Sequence, residues 1–225
     1  MTYDEIMTRM RSMANPENVA GMARFGINPH NTLGISVVTL RKIARQTGRD
    51  HDLAGRLWGS GVHEARLLAC LVDVAALVDE TQAEKWVEAF DSWDICDVCC
   101  NELFRKTGFA YLKARKWSAR SEEFVKRAGF VLMACLAVHD KAAGDEMFLG
   151  FLPLVERESG DERNFVRKAV NWALRQIGKR NRDLNRAAVR SALTILAKGS
   201  RPARWIARDA LRELRSPKIL GRLKD

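Results

Sequence analysis

Residues 164–179, NFVRKAVNWALRQIGK, decide how this chain folds. On a wheel at about 100° per residue, Val166, Ala169, Val170, Ala173 and Leu174 fall on one arc, while Phe165, Lys168, Trp172 and Arg175 cluster on another face. That 3.6-residue period predicts an amphipathic helix. The same plan recurs in HEARLLACLVDVAALV (63–78), EFVKRAGFVLMACLAV (123–138) and RWIARDALRELR (204–215). Each carries an early basic residue followed by small and aliphatic residues at helical spacing. Aligned on that residue, Arg66, Arg127, Lys168 and Arg208 are equivalent, and the helix from Trp93 adds Asp97 to the row between the first two. The successive spacings of 31, 30, 41 and 40 residues suit stacked helix pairs of the HEAT or armadillo kind.

The remaining sequence agrees with this plan. Period-2 alternation never persists, so strands are not expected. Helices are predicted at 2–14, 16–25, 36–47, 51–59, 62–78, 80–91, 93–106, 108–118, 121–138, 143–158, 161–179, 182–198, 202–215 and 217–224, with breaks at Gly and Pro positions. Thr2 and Glu5 form a capping-box pattern, and Ser121 and Asp161 are candidate N-caps. The expectation is an all-α, HEAT-like (armadillo-type) helical-repeat solenoid, a single superhelical domain over residues 1–225 with six to seven helix pairs. Equivalent positions on the second helix of each pair would line one concave surface.

Composition sets the boundaries. The 225 residues are 47% apolar and 29% charged, an ordinary globular balance. The N-terminus mixes charges and does not resemble a signal peptide, and no apolar run is long enough for a membrane span. The five cysteines (Cys70, Cys96, Cys99, Cys100 and Cys135) lie inside predicted helices, which argues against a disulfide framework and for a reducing cytoplasm. Cys96, Cys99 and Cys100 raise the question of a metal, but the four histidines are scattered and no second CxxC follows; core thiols are the simpler reading, and neither metal nor cofactor is expected. The net charge of +10 is unevenly placed. Residues 1–160 hold 20 Lys+Arg against 22 Asp+Glu; residues 161–225 hold 18 against 6, a net of +12. A basic end of that strength needs an anionic partner or tolerates self-repulsion, and nucleic acid is the commonest such partner. The plainer alternative is a solvated, solubilising surface.

Two places carry chemistry. In FDSWDICDVCCNELF (90–104) the apolar arc is Cys96, Cys99, Cys100 and Leu103, with Trp93, Asp97 and Phe104 at one edge within roughly 40° of each other. A carboxylate there stands where a groove wall meets the core. In residues 164–179, Trp172 lies about 120° from the core centre between two cations, suited to stacking on a partner or to packing on a neighbouring helix. Arg127 opens a helix that is apolar on every side beyond it, and its guanidinium requires either a carboxylate or a phosphate; the basic row favours phosphate.

SWDICD, the Arg127 segment and FVRKAVNWALR together resemble the DNA alkylation repair enzyme family of HEAT-like-repeat DNA glycosylases. The segment ARFGINPHNTLGISVVTLRKIAR is similar to that family's N-terminal motif, with Phe25 where its best-known type has Tyr; Asn164 likewise replaces a second Phe before Phe165. The likeness runs essentially the whole chain. It implies a C-shaped solenoid gripping double-stranded DNA in a basic concave groove and hydrolysing the N-glycosidic bond of purines alkylated at N3 or N7. It further implies Asp97 as the catalytic carboxylate, with Trp93 and Trp172 forming an aromatic cleft around the lesion. Arg127 would contact DNA near the lesion, Lys168 and Arg175 its phosphates, and Phe25, Arg66, Phe165 and Arg208 complete the binding set. A monomer, acting in the cytoplasm on the bacterial nucleoid, is expected. Two other classes stay open: a non-catalytic HEAT protein binding distorted or branched DNA, and a protein–protein scaffold whose basic groove takes an acidic peptide. The plainer reading of Asp97 itself is an ordinary salt bridge to Arg66 or Arg127.

Overall fold

The computed structural model describes residues 1–223, which contain helices and no strand. They gather into two compact units, Met1–Gly108 and a second beginning at Phe109. The first unit holds α1 (Tyr3–Ser12), α2 (Pro16–Arg24), α3 (Val37–Thr47), α4 (His51–Gly59), α5 (His63–Val72), α6 (Glu80–Glu88) and α7 (Trp93–Glu102), followed by a 3-10 turn at Phe104–Lys106. Helix α1 starts on the capping box read from Thr2 and Glu5, and Asn15, Ser36, Asp50 and Asp79 cap α2, α3, α4 and α6 through their side chains. Helix α5 is central: it packs against α3, α4 and α7 and buries Leu67, Leu68, Ala69 and Cys70. Helix α2 is different, because none of its side chains is fully buried.

The second unit holds α8 (Ala110–Ser118), α9 (Glu123–His139), α10 (Asp145–Leu149), α11 (Leu152–Glu158), α12 (Asn164–Ile177), α13 (Arg182–Ala197), α14 (Arg201–Leu214) and α15 (Pro217–Leu220). Packing runs α9 to α12 to α14 in one layer and α8 to α11 to α13 in the other, the two-layer plan of stacked helix pairs. Helix α9 is apolar nearly all round because α8 and α12 both cover it. Its Gly129 permits the close approach of α8: a Cβ there would lie 2.3 Å from the backbone nitrogen of Ser118.

Several expected boundaries move for local reasons. The predicted helix 62–78 ends at Val72, since the buried Asp73 carboxylate turns to its own neighbours: it accepts from Val74 N (2.7 Å) and Gln82 Nε2 (2.8 Å) and meets His51 Nδ1 (2.7 Å). The predicted helix 143–158 is two helices, α10 and α11, broken near Gly150, whose carbonyl accepts from the Arg115 guanidinium at 3.0 Å; Pro153 follows in the first turn of α11. The helix from Trp93 stops at Glu102, and Thr107 closes the 3-10 turn through Oγ1 to Phe104 O at 2.8 Å. Neither Ser121 nor Asp161 is an N-cap. Glu122 and Arg163 occupy those positions, and Asp161 instead accepts from the Arg163 backbone and guanidinium. Residue 224 of the predicted last helix lies outside the described residues.

Candidate functional site

In the first unit, α7 buries Ile95, Cys96, Cys99 and Cys100, which leaves Trp93 and Asp97 half-buried on its flank, one turn apart. The indole of Trp93 is pinned: its Nε1 donates to the Phe25 carbonyl oxygen at 2.9 Å. The Phe25 ring itself is 75% exposed. Phe25 and Trp93 line a largely apolar cavity of about 660 Å³ with Met22, Ile35 and Leu67, and Asp94 closes one side of it.

The loop that carries the Phe25 carbonyl is wired to α5 and α7. Asn28 N donates to Ser92 Oγ (2.9 Å) and Asn28 Nδ2 to Asp91 Oδ2 (3.0 Å). The fully buried Glu64 carboxylate accepts three backbone N–H groups, from Leu33 (2.8 Å), Gly34 (2.7 Å) and Ile35 (3.2 Å). Charge-assisted bonds of this kind let a buried carboxylate fix a loop. Gly34 is required there: its φ is +80°, and a Cβ would meet Asn15 O at 2.3 Å. His63 Nε2 lies 2.8 Å from Asp94 Oδ2, both residues buried. Burial pushes the His63 imidazole down, but the hydrogen bond and charge of Asp94, with Glu64 and Asp91 behind it, prevail and hold it above its usual range.

The acidic residues of DSWDICD are thereby sorted. Asp94 is tied to His63, and Asp91 bonds Asn28 and lies 4.0 Å from Arg66. Asp97 shares the flank of Trp93 and has contacts of its own within the protein. Arg66 is half-buried with its guanidinium 5.5 Å from the centre of the Trp58 ring, a cation–π contact.

In the second unit, Arg127 is only 5% exposed and donates to the Phe165 carbonyl oxygen at 2.6 Å, so a backbone acceptor, rather than a carboxylate or phosphate, is one partner of its guanidinium. The Phe165 ring is half-buried, 5.6 Å from that of Phe124. Trp172 is half-buried, and with the Gln176 amide turned to satisfy both donors, its oxygen accepts from Trp172 Nε1 (2.9 Å) and Lys179 Nζ (3.2 Å). Lys168 and Arg208 are exposed.

Sequence reading missed a ladder of polar contacts joining α12 to α14. Asn171 Nδ2 donates to Asp209 Oδ2 at 2.7 Å, Arg175 to Glu213 Oε2 at 2.6 Å, and Lys179 to Glu213 Oε1 at 2.8 Å. Burial pushes Glu213 up, but Lys179 and Arg175 outweigh it and hold the carboxyl below its ordinary range. Arg175 is therefore engaged by a carboxylate of its own unit. The available signal was the pair Asp209 and Glu213, acids at i and i+4 in an otherwise basic segment, each 38 residues beyond a polar partner in α12.

Among the described residues, no group of three or more His, Cys, Asp or Glu side chains is placed to hold a metal ion, and no helix is long and apolar enough to cross a membrane. The five cysteines are buried and none of them forms a disulfide; burial first, and then the neighbouring thiols, push Cys99 well above its ordinary value, which keeps it neutral.

The sequence model of the DNA alkylation repair enzyme family matches residues 6–214. The chain belongs to that family. A solved structure described as "A new family of proteins related to the HEAT-like repeat DNA glycosylases with affinity for branched DNA structures" superposes with a TM-score of 0.77 over 86% of this chain and 83% of that one, at 18% identity. That likeness establishes the HEAT-like repeat fold. The comparison with curated proteins returns no match.

Proposed function

We propose that this protein is a DNA glycosylase that hydrolyses the N-glycosidic bond of N3- or N7-alkylated purines in double-stranded DNA. The observation that supports it is the pair Trp93 and Asp97: an indole and a carboxylate one turn apart on the half-buried flank of α7, the indole oriented by the Phe25 carbonyl. Family membership and the +12 charge of residues 161–225 favour DNA as the partner.

The chemistry asks little of the protein. An N3- or N7-alkylpurine carries a formal positive charge, so the base leaves with the electron pair of the C1′–N bond and becomes neutral. Positive charge passes to the sugar as an oxocarbenium-like ion. The Asp97 carboxylate stabilises that ion, an electrostatic effect of about several kcal/mol in a water-poor site. It also orients the water whose oxygen bonds to C1′, and the water's proton passes through the carboxylate to solvent. The Trp93 face adds about 0.5–2 kcal/mol of cation–π attraction; Trp172, in the second unit, is assigned by the family resemblance to contact with the DNA. Lys168 and Arg208, exposed, are assigned to phosphates; Arg175 joins them by exchanging Glu213 for phosphate. Arg127 is assigned to holding Phe165 in place beside the DNA.

The deciding experiment is release of 7-methylguanine and 3-methyladenine from methylated duplex DNA by the wild type and by Asp97→Asn. The expected result is release by the wild type and loss of at least about a hundredfold in the variant, with duplex binding equal or tighter because one repulsive charge is gone. Equal turnover by the two proteins removes Asp97 from the reaction. The second reading is a non-catalytic protein for distorted or branched DNA. The described affinity of the structural relative favours it, and it predicts DNA binding with no base release from either protein.

A further inference from the structure

Trp205 stands out on α14, 39% exposed in a helix whose apolar face is otherwise turned inward. Pro202, Ala203, Ile206, Ala207, Ala210 and Leu214 form the buried side. The opposite side carries Arg201, Arg204, Trp205, Arg208, Arg212 and Arg215 within an arc of roughly 100°. All six of these residues are exposed. Arg212 pairs with Asp209, whereas among the described residues no carboxylate lies within ion-pair distance of Arg201, Arg204, Arg208 or Arg215. From α12, the Arg167 guanidinium lies 4.8 Å from the centre of the Trp205 ring. A cation–π contact of that kind holds an indole in one orientation without burying it.

We propose that the Arg167–Trp205 pair, with the arginines flanking it on α14, is a binding station for an unpaired nucleotide of DNA. The inference rests on the reading of this protein as DNA-binding and adds a site and a substrate feature to it. An exposed indole among cations offers two things together, a π-face and phosphate partners. Inside a duplex the base faces are closed by their neighbours, so the indole gains nothing there. A base in a single-stranded tail, flap or frayed end has a free face, and stacking on an aromatic ring holds it regardless of sequence. Arg201, Arg204 and Arg208 then lie within a turn of the ring to take the flanking phosphates, bidentately where geometry allows. Of this surface the base-release reading uses only Arg208, for a phosphate; Trp205 and Arg167 have no part in it. The station would therefore select for DNA with an unpaired segment beside the bound duplex.

The test compares a blunt duplex with the same duplex carrying a single-stranded oligo-dT tail, binding being followed by fluorescence anisotropy at fixed salt. The wild type should bind the tailed duplex more tightly. Trp205→Ala should lose that increment, about tenfold, while keeping its affinity for the blunt duplex; Trp205→Phe should retain most of it. Quenching of intrinsic tryptophan fluorescence by oligo-dT should vanish with Trp205→Ala alone. An unchanged tail preference in Trp205→Ala overturns the station while leaving DNA binding intact. So does tight binding of an acidic polypeptide that depends on Trp205 when the tail adds nothing. If the wild type binds no DNA of either form, the DNA-binding reading itself fails along with the station.

Discussion

Trp93 donates its indole N–H to the carbonyl oxygen of Phe25 at 2.9 Å, so a backbone atom 68 residues earlier sets the orientation of the ring beside Asp97. That carbonyl is itself placed by a loop that Ser92, Asp91 and Glu64 hold to α5 and α7. The exposed Phe25 side chain is not needed for this bond, because the backbone supplies the acceptor.

Trp93→Phe tests the bond apart from the ring. The variant keeps an aromatic face and loses the donor. A partly exposed hydrogen bond contributes about 1 kcal/mol net, so the melting temperature should fall by only about 2–4 °C. Base release should fall further, by about tenfold, because the cation–π contribution depends on ring placement. Melting curves and single-turnover release measured on one preparation check it. A parallel, equally small loss in both would reduce Trp93 to packing.

The pair His63 and Asp94 makes the first unit sensitive to pH. The folded pKa of His63 is raised above the ordinary imidazole value of about 6.5. Its ionic contribution to stability is then fully present below about 6.5 and fades as pH rises through the higher folded value. Asp94, Glu64 and Asp91 are the charges that face it. The melting-temperature difference between wild type and His63→Gln should be largest near pH 6 and shrink toward pH 9. It should not vanish, since neutral imidazole still donates one hydrogen bond to Asp94. A difference that stays constant across the range would mean that His63 keeps one charge state throughout.

Helix period was the strong signal, and it carried the architecture. The repeated segments at 63–78, 123–138, 164–179 and 204–215 became the cores of α5, α9, α12 and α14, because apolar spacing alone dictates which face must be covered. Polar contacts across long sequence distance were hidden. Glu64 reads as an ordinary helix-start acid until the loop at 33–35 folds onto it with three N–H groups, and Asp73 reads as mid-helix until His51 and Gln82 arrive. Arg127 was seen as needing a partner, but a backbone carbonyl leaves no trace in sequence. Trp93 with Asp97 was visible because both lie within one helical turn.

Trp172 offers a separate check on the second unit. Its ring is half-buried, and its N–H is satisfied four residues on by Gln176. Trp172→Ala removes no fully buried volume, so stability should fall by less than the about 3–5 kcal/mol expected for a core Trp. Base release should drop by about tenfold or more if the indole faces substrate. Normal release with a large fall in melting temperature would return Trp172 to the core. Urea titration beside the release assay separates the two.

Glu213 connects stability to DNA affinity. Its carboxylate holds both Arg175 and Lys179, and together they hold its pKa down against the effect of burial. This stabilising contribution is present above the unfolded carboxyl value near 4.5 and is lost as pH falls through the lower folded one. Glu213→Gln abolishes both ion pairs at neutral pH and keeps the side chain's size. Stability should fall by about 1–3 kcal/mol, and the acid-induced loss assigned to this group should disappear. Lys179, and Arg175 so far as Asp209 at 3.7 Å does not hold it, should also be able to reach phosphate. The plot of log affinity for duplex DNA against log salt should then steepen by up to about 1.8, the increment for two further phosphate contacts. Affinity at low salt should rise despite the weaker fold. An unchanged slope would place Arg175 and Lys179 outside the DNA contact, leaving them to fasten α12 to α14.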